Sequence, residues 1–176
     1  MLCTASVNAS ALDIVELFSK FEKVTESEAE FTETWTAGYL DESVVTSGKL
    51  VYRKSGGLSK IIEQPAYSEL IINDDSLTIV RHDKSRVIRL SDQPALAAGI
   101  HAIRDVLEGD IDSLKKNFAV EYGYQNGNWQ LALQPIEAKV RERISRISLQ
   151  GYHHRIDQIS VHYKNGDEIL TEIVHD

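Results

Sequence analysis

Residues that would define several protein classes are scarce in this chain. Cys3 is the only cysteine among 176 residues, so an intrachain disulfide bond is impossible. No apolar run approaches the roughly 20 residues that a transmembrane helix needs. Basic residues number 19 against 27 acidic ones, and the net charge of −8 argues against nucleic acid or an anionic membrane surface as the main partner. With 42% hydrophobic residues, the chain has the composition of a single globular domain with a substantial core.

Motifs for catalysis and for nucleotide binding are also missing. The sequence has no Gly-x-Ser-x-Gly elbow, no phosphate loop and no dinucleotide fingerprint. His153-His154 would point to opposite faces of a strand, so the two rings are poorly placed to bind one metal ion. Asp74-Asp75 is interpreted as a turn, and Asp110 and Asp112 as the start of a helix, rather than as acid–base pairs. We therefore expect no enzymatic activity, no metal and no cofactor.

Hydrophobic periodicity predicts a mainly β fold with a few helices. A first helix over residues 12–21, capped by Ser10, has its apolar stripe at Ile14, Leu17, Phe18 and Phe21. From Ala29 the period changes to that of a strand. Further strands are predicted at 44–53, 58–64, 68–73, 76–82, 86–90, 118–124, 129–133, 143–150, 159–163 and 169–174.

A longer helix is predicted in the middle of the chain. It starts around Pro94, with Ser91 or Asp92 as the capping residue, and Gly109 ends it. Asp110 then caps a short second helix. The apolar stripe of the long helix consists of Leu96, Ile100, Ile103 and Leu107.

Two turn signals indicate antiparallel pairing of the C-terminal strands. Asn126-Gly127 and Asn165-Gly166 each separate two alternating segments, and Asn-Gly favours the tight hairpin turn. No strand–helix–strand alternation is present, which disfavours a parallel sheet. We therefore predict one curved antiparallel sheet that buries the helices on one face. Periodicity alone leaves a closed barrel, an open half-barrel and a two-sheet sandwich as alternatives.

The N-terminal residues have the pattern of an export signal. Val7-Asn8-Ala9 ahead of Ser10 fits the small-residue cleavage site of a signal peptidase. Residues 1–9 are then interpreted as the remnant of that signal and residues 10–176 as a single domain. A frayed polar N-terminus is the alternative reading of the same residues.

A block in the first half of the chain, from Gly48 to Pro65, has a spacing of residues that is typical of one protein family. Gly48 opens a strand that the basic pair Arg53 and Lys54 closes, and Leu58 follows four positions later. The next strand ends in Gln64-Pro65. This layout resembles the LolA-like lipoprotein carriers, which move acylated cargo across the periplasm of Gram-negative bacteria. The segments Phe31-Thr32-Glu33-Thr34 and Leu107–Leu114 also resemble members of that group, and the likeness extends from Ala29 to about Val174.

The resemblance implies both a fold and a function. Such proteins are unclosed β-barrels of about eleven antiparallel strands with helices over the concave face. It implies a non-enzymatic periplasmic carrier or chaperone that binds the acyl chain of a lipoprotein or lipid for transfer towards the outer membrane. An inner-membrane exporter and an outer-membrane acceptor would be its partners. The ligand-binding side chains are predicted to be Leu50, Tyr52, Leu58, Ile72, Leu77, Ile79, Leu96, Ile100, Ile103 and Leu107.

The basic pair departs from the family pattern. The family has a basic residue followed by proline where this chain has Lys54-Ser55, and its aromatic residue is replaced by Leu58. In the classical carriers the basic residue is an arginine that helps to close helical lids. Lysine keeps the charge but lacks the planar guanidinium. The resemblance implies that Arg53 and Lys54 act as a lid latch or as a contact for a partner.

Two other function classes compete with the carrier. One is a periplasmic lipid-acting hydrolase or transferase that uses a histidine and a carboxylate. The other is an interaction module that docks through its basic strand end onto a membrane exporter. An apolar cavity favours the carrier, a polar cleft with a histidine beside an acid favours the enzyme, and a filled core favours the module. The sequence also leaves open whether the central helix is a mobile lid or fixed core.

Overall fold

The computed structural model describes residues 13–39 and 43–175, and it is dominated by strands. The strands are β1 (Glu26–Thr36), β2 (Ser43–Arg53), β3 (Gly57–Gln64), β4 (Ser68–Asn73), β5 (Ser76–Arg81), β6 (Lys84–Arg89), β7 (Phe118–Gln125), β8 (Asn128–Pro135), β9 (Ile144–Tyr152), β10 (Arg155–Tyr163) and β11 (Glu168–Val174). The helices are α1 (Ile14–Phe21), α2 (Pro94–Glu108), α3 (Ile111–Asn117) and α4 (Ala138–Arg141), with a 3-10 turn at Leu90–Asp92.

All eleven strands belong to one antiparallel sheet that does not close. Its order is β6-β5-β4-β3-β2-β1-β11-β10-β9-β8-β7, so β6 and β7 are the two edges. Strands that follow one another in the chain pair, with the exception of β6 and β7, and β1 pairs with β11 in the middle of the sheet. The prediction of a half-barrel with helices on one face is confirmed, and the closed barrel and the two-sheet sandwich are excluded.

The glycine of the family-like block has a steric role. The pairing of β2 with β3 shifts register between Ser47 and Gly48. A Cβ atom at Gly48 would collide with the backbone carbonyl oxygen of Ile61 on the neighbouring strand. Gly48 therefore permits the two backbones to approach closely at a bulge. The block ends at the peptide bond between Gln64 and Pro65, which is cis.

The helices bury two clusters of side chains on the concave face. In one, side chains of β7–β10 pack with α1, α2, α3 and α4, and the Phe21 ring meets Trp129 edge to face at 5.7 Å between centroids. The second lies over β2–β5 and contains Tyr52, Leu58, Ile72, Leu77, Leu90 and Ile100. Ile103 and Leu107 pack against both clusters. Helix α2 therefore lies across the concavity and joins two parts of the sheet that are far apart in strand order.

Helix capping only partly follows the prediction. Helix α2 starts at Pro94, but Gln93 occupies the N-cap position and makes no side-chain cap. The prediction of Ser91 or Asp92 as the cap is wrong, because both lie in the 3-10 turn and the Ser91 hydroxyl instead donates to Asp75 at 2.9 Å. Asp110 does cap α3, since its Oδ1 accepts from the Ser113 N–H at 2.8 Å. The proposed Ser10 cap of α1 and the export-signal remnant lie outside the described residues.

Strand boundaries differ from the prediction where periodicity fails. Strand β1 starts at Glu26, three residues before Ala29, because pairing with β2 orders a polar segment. Strand β10 starts at Arg155, four residues before Ile159, and a register shift between Ile156 and Gln158 interrupts its alternation.

No helix in the described ranges has the length and apolarity required to cross a membrane.

Candidate functional site

One row of apolar side chains on the concave face is sealed by α2. The register places Tyr52, Leu58, Ile72, Leu77 and Ile88 directly opposite one another across β2 to β6. Directly paired residues share a face of the sheet, so this row forms one surface. Its first four members are buried in the cluster beneath α2, and Ile88 packs against them. This part of the predicted pocket is a filled core.

The neighbouring rows are less covered. The next row on the same face lies two residues along each strand from the sealed row. In this row Leu50 is paired with Lys60, Lys60 with Leu70, and Leu70 with Ile79. Ile62 follows in the next row. All four apolar side chains are half-buried, in contrast to the sealed row. We call Leu50, Ile62, Leu70 and Ile79 the open strip.

The same face carries exposed apolar side chains beyond the open strip. Trp35 is paired with Val44 across β1 and β2, and their exposed fractions are 38% and 50%. Trp129, by contrast, is 2% exposed, so only one of the two tryptophans is a core anchor. An exposed indole beside an exposed valine extends the apolar surface to the rim of the half-barrel.

A charged pair lies in the middle of this face. The Lys60 ammonium donates to Glu33 Oε2 at 2.6 Å, and the Thr171 hydroxyl donates to the same oxygen at 2.8 Å. The ammonium also lies 4.7 Å from the centroid of the Phe31 ring. The side chains of Lys60 and Glu33 are only 18% and 23% exposed, so each depends on the other for compensation of its charge. Sequence reasoning missed this pair because Lys60 and Glu33 lie on β3 and β1, two strands that only the fold brings together.

The predicted ligand-binding residues therefore separate into distinct environments. Tyr52, Leu58, Ile72, Leu77 and Ile100 are buried together, and Ile79, Ile103 and Leu107 pack against them. Leu50 and Ile79 are the two predicted residues that belong to the half-buried open strip. Leu96 continues the stripe of α2 but is 41% exposed. Ile62 and Leu70 were not predicted, because Ile61 and Ile71 beside them are also apolar and the alternation does not show which residue faces inward.

Two surface depressions lie elsewhere, beside β7 to β9. One, of about 270 Å³, is bordered by Glu121, Gln130 and Arg146, and the other, of about 560 Å³, lies beside the Asn126 turn. Neither is bordered by any of the predicted ligand-binding residues. The first is lined mainly by residues of the outer face, where acyl chains would find polar side chains.

Two histidine side chains, the half-exposed His162 and the mostly buried His175, approach carboxylates. His162 Nδ1 lies 3.8 Å from Glu168 Oε1, and His175 Nε2 lies 3.7 Å from Asp157 Oδ1. The Ser145 hydroxyl donates to the backbone carbonyl of His162 and not to its ring. Among the residues that the structure describes, no three histidine, cysteine or acidic side chains gather in a way that could hold a metal ion.

The predicted latch residue contacts a helix. The Lys54 ammonium donates to the backbone carbonyl oxygen of Glu22 at 2.7 Å, where Glu22 is the C-cap residue of α1. The contact is favourable because a cation at the C-terminus of a helix satisfies a free carbonyl and the helix dipole. Arg53, its neighbour, is exposed. The contact thus holds α1 to the end of β2, while the role of both residues as a latch or partner contact stays a proposal.

We expect Lys54→Ala to lower the free energy of unfolding by about 1 kcal/mol, because one charge-assisted hydrogen bond to α1 is lost. Arg53→Ala is the matched control and should stay within about 0.5 kcal/mol of the parent. Urea unfolding measures both values, and hydrogen exchange of the amides at the end of α1 locates the effect. Equal stability of the two variants would show that the Lys54 contact does not hold α1.

A sequence comparison identifies the family. The profile of the family described as "Outer membrane lipoprotein carrier protein LolA-like" matches residues 5–174. The chain belongs to the LolA-like family. This confirms the resemblance derived from the Gly48–Pro65 block. A comparison of this LolA-like sequence with curated proteins gives no significant match.

Solved structures with a TM-score of 0.50 or more share the fold at low sequence identity. MucB is 13% identical with a TM-score of 0.52, and the match covers 96% of this LolA-like chain but 58% of MucB. A DUF1329 family protein from Desulfovibrio piger is 12% identical with a TM-score of 0.50, covering 94% and 91% of the two chains. A LolA superfamily protein from Nitrosomonas europaea is 12% identical with a TM-score of 0.48, covering 94% and 92%.

Proposed function

We propose that this LolA-like protein is a non-enzymatic periplasmic carrier. It binds the acyl chain of a lipid or lipoprotein on the open strip and passes it on towards the outer membrane. The observation that carries the proposal is the incomplete cover of the concave face. Helix α2 seals the Tyr52 row and leaves the open strip half-buried, with Trp35 and Val44 exposed beyond it.

The hydrophobic effect makes such a surface suitable for cargo. Each CH₂ group moved from water to an apolar surface gains about 0.8 kcal/mol, so a chain along several rows of the sheet binds firmly. A chain that lies on an open surface can also leave without unfolding the protein. Under this proposal, Ile100, Ile103 and Leu107 hold α2 as the wall beside the chain, and Leu96 offers a further apolar contact at its exposed end.

The test compares neighbouring isoleucines on one strand. Ile62 and Ile61 are both half-buried, but Ile62 pairs with Gly48 on the concave face while Ile61 pairs with Lys49 on the outer face. We expect Ile62→Asp to weaken binding of a fluorescent fatty acid at least tenfold, since a buried charge opposes an apolar chain. Ile61→Asp should bind the fatty acid like the parent.

Two readouts separate binding from folding. Circular dichroism must show that both variants are folded, and native mass spectrometry of gently purified parent protein should reveal a bound lipid. If folded Ile62→Asp binds as tightly as the parent, the chain does not lie on the open strip. If the parent binds no fatty acid and carries no lipid, the carrier function itself is wrong.

A further inference from the structure

The edge of the sheet beside the open strip carries three cations on its concave side. Arg81 is paired with Lys84 across the β5–β6 hairpin, and Arg86 is paired with Ile79 of the open strip. Ile79 packs against the buried cluster and therefore points into the concavity, so its direct partner Arg86 and, by alternation, Arg81 and Lys84 point the same way. All three basic side chains are exposed. We call Arg81, Lys84 and Arg86 the cationic edge.

The cationic edge lacks acidic partners on its own face. Its three side chains make no ion pair or hydrogen bond with any residue in the described ranges, whereas Lys60 nearby is occupied by Glu33. Side chains alternate between the two faces along each strand, so the concave face presents no carboxylate from Leu58 to Ile62 of β3 or anywhere in β4 to β6. The chain as a whole has a net charge of −8. Positive charge is therefore concentrated at one side of the apolar surface of an acidic protein.

We infer that the cationic edge binds the anionic headgroup of a lipid whose acyl chain lies on the open strip, and that the cargo is an anionic phospholipid. The inference rests on the proposed function and names its substrate class. An amphiphile needs an apolar surface and a charged group at its end, and Arg86 lies directly opposite Ile79 at that boundary. Arginine suits this task because its guanidinium forms paired hydrogen bonds with phosphate.

The test holds the chain constant and changes the headgroup. Dodecyl phosphate and dodecyl maltoside share one alkyl chain but differ in charge, and Trp35 beyond the open strip reports binding by fluorescence. The double variant Arg81→Gln/Arg86→Gln should bind dodecyl phosphate roughly tenfold more weakly while its affinity for dodecyl maltoside is unchanged. The control Arg141→Gln/Arg155→Gln removes two exposed arginines outside the cationic edge and should leave both affinities unchanged.

Each result decides between the proposals. Binding of both detergents with no effect of the double variant would preserve the carrier and overturn the headgroup site. Binding of neither detergent to the parent would overturn the carrier itself. Inorganic phosphate, added as competitor, should fail to displace dodecyl phosphate, and displacement would make the cationic edge a site for free phosphate. Self-association of the double variant with unchanged affinities would show that these cations only prevent edge-to-edge pairing.

Discussion

Gly109→Ala is expected to lower the free energy of unfolding by about 2 to 4 kcal/mol, because the added methyl group would strain the end of α2 and collide with the end of α1. Gly109 ends α2 in the left-handed region with φ 73°. Alanine is strained there, and its Cβ would lie 2.5 Å from the carbonyl oxygen of Phe18 and 2.8 Å from the Glu22 Cβ. The end of α1 would have to move away from α2.

The control for this substitution lies in the same helix. A Cβ at Gly99 would meet no atom within 4 Å, and a helix interior favours alanine over glycine. Gly99→Ala should therefore raise the free energy of unfolding by about 0.5 to 1 kcal/mol. Chemical denaturation of both variants gives the comparison. If Gly109→Ala proved as stable as the parent, α1 and α2 would not be in the close contact described.

Asp105→Asn is expected to stabilise the protein at neutral pH and not in acid. Asp105 is 8% exposed, and burial, helped by the charges of Asp110 and Glu108, raises the pKa of its carboxyl from 3.8 to about 6. Hydrogen bonding from Ser113 and the charge of Arg104 oppose this shift without cancelling it. The folded protein therefore holds this proton more tightly than the unfolded chain does.

The sign of the pH effect follows from that preference. As pH rises from about 4 through about 6, the unfolded chain ionises first, so stability falls by up to about 3 kcal/mol and then stays level. Asparagine cannot ionise and removes this cost. The free energy of unfolding of Asp105→Asn should equal that of the parent at about pH 4. Above neutrality it should exceed the parent's value by about 2 to 3 kcal/mol. Thermal unfolding across pH measures it.

An exposed aspartate provides the control. Asp83 lies in the β5–β6 turn with φ 59°, a conformation that asparagine tolerates, so Asp83→Asn should leave the free energy of unfolding within about 0.5 kcal/mol of the parent. A constant difference between Asp105→Asn and the parent at every pH would contradict the perturbed ionisation. That result would assign any gain to packing or hydrogen bonding.

Local patterns in the sequence were sufficient to predict most of the fold. The Asn126-Gly127 turn adopts the positive φ angles that its composition suggests, and Gly109 ends α2 as expected. The four-residue helix α4 was missed because it is too short to show a period. The prediction that Ser91 caps α2 was wrong, because its hydroxyl donates a hydrogen bond to Asp75 in the β4–β5 turn.

The candidate site was less predictable, for a different reason. Alternation shows that Leu50 and Tyr52 share a face, but it does not show which rows α2 covers. That depends on where Ile100, Ile103 and Leu107 meet the sheet, which is a property of tertiary packing. The Lys60–Glu33–Thr171 contacts depend on the β1–β11 pairing, and Glu33 and Thr171 are 138 residues apart in the chain.

The place of that pairing in the sheet has an entropic consequence. Strands β1 to β6 and strands β7 to β11 are two meanders in which every ladder joins neighbours along the chain. Each hairpin closes a short loop, whereas the β1–β11 ladder, with its seven residue pairs, closes nearly the whole chain. The entropy lost on closing a loop grows with its length. The β1–β11 ladder joins the two meanders into one sheet. Its formation therefore costs more chain entropy than that of any other ladder in the sheet.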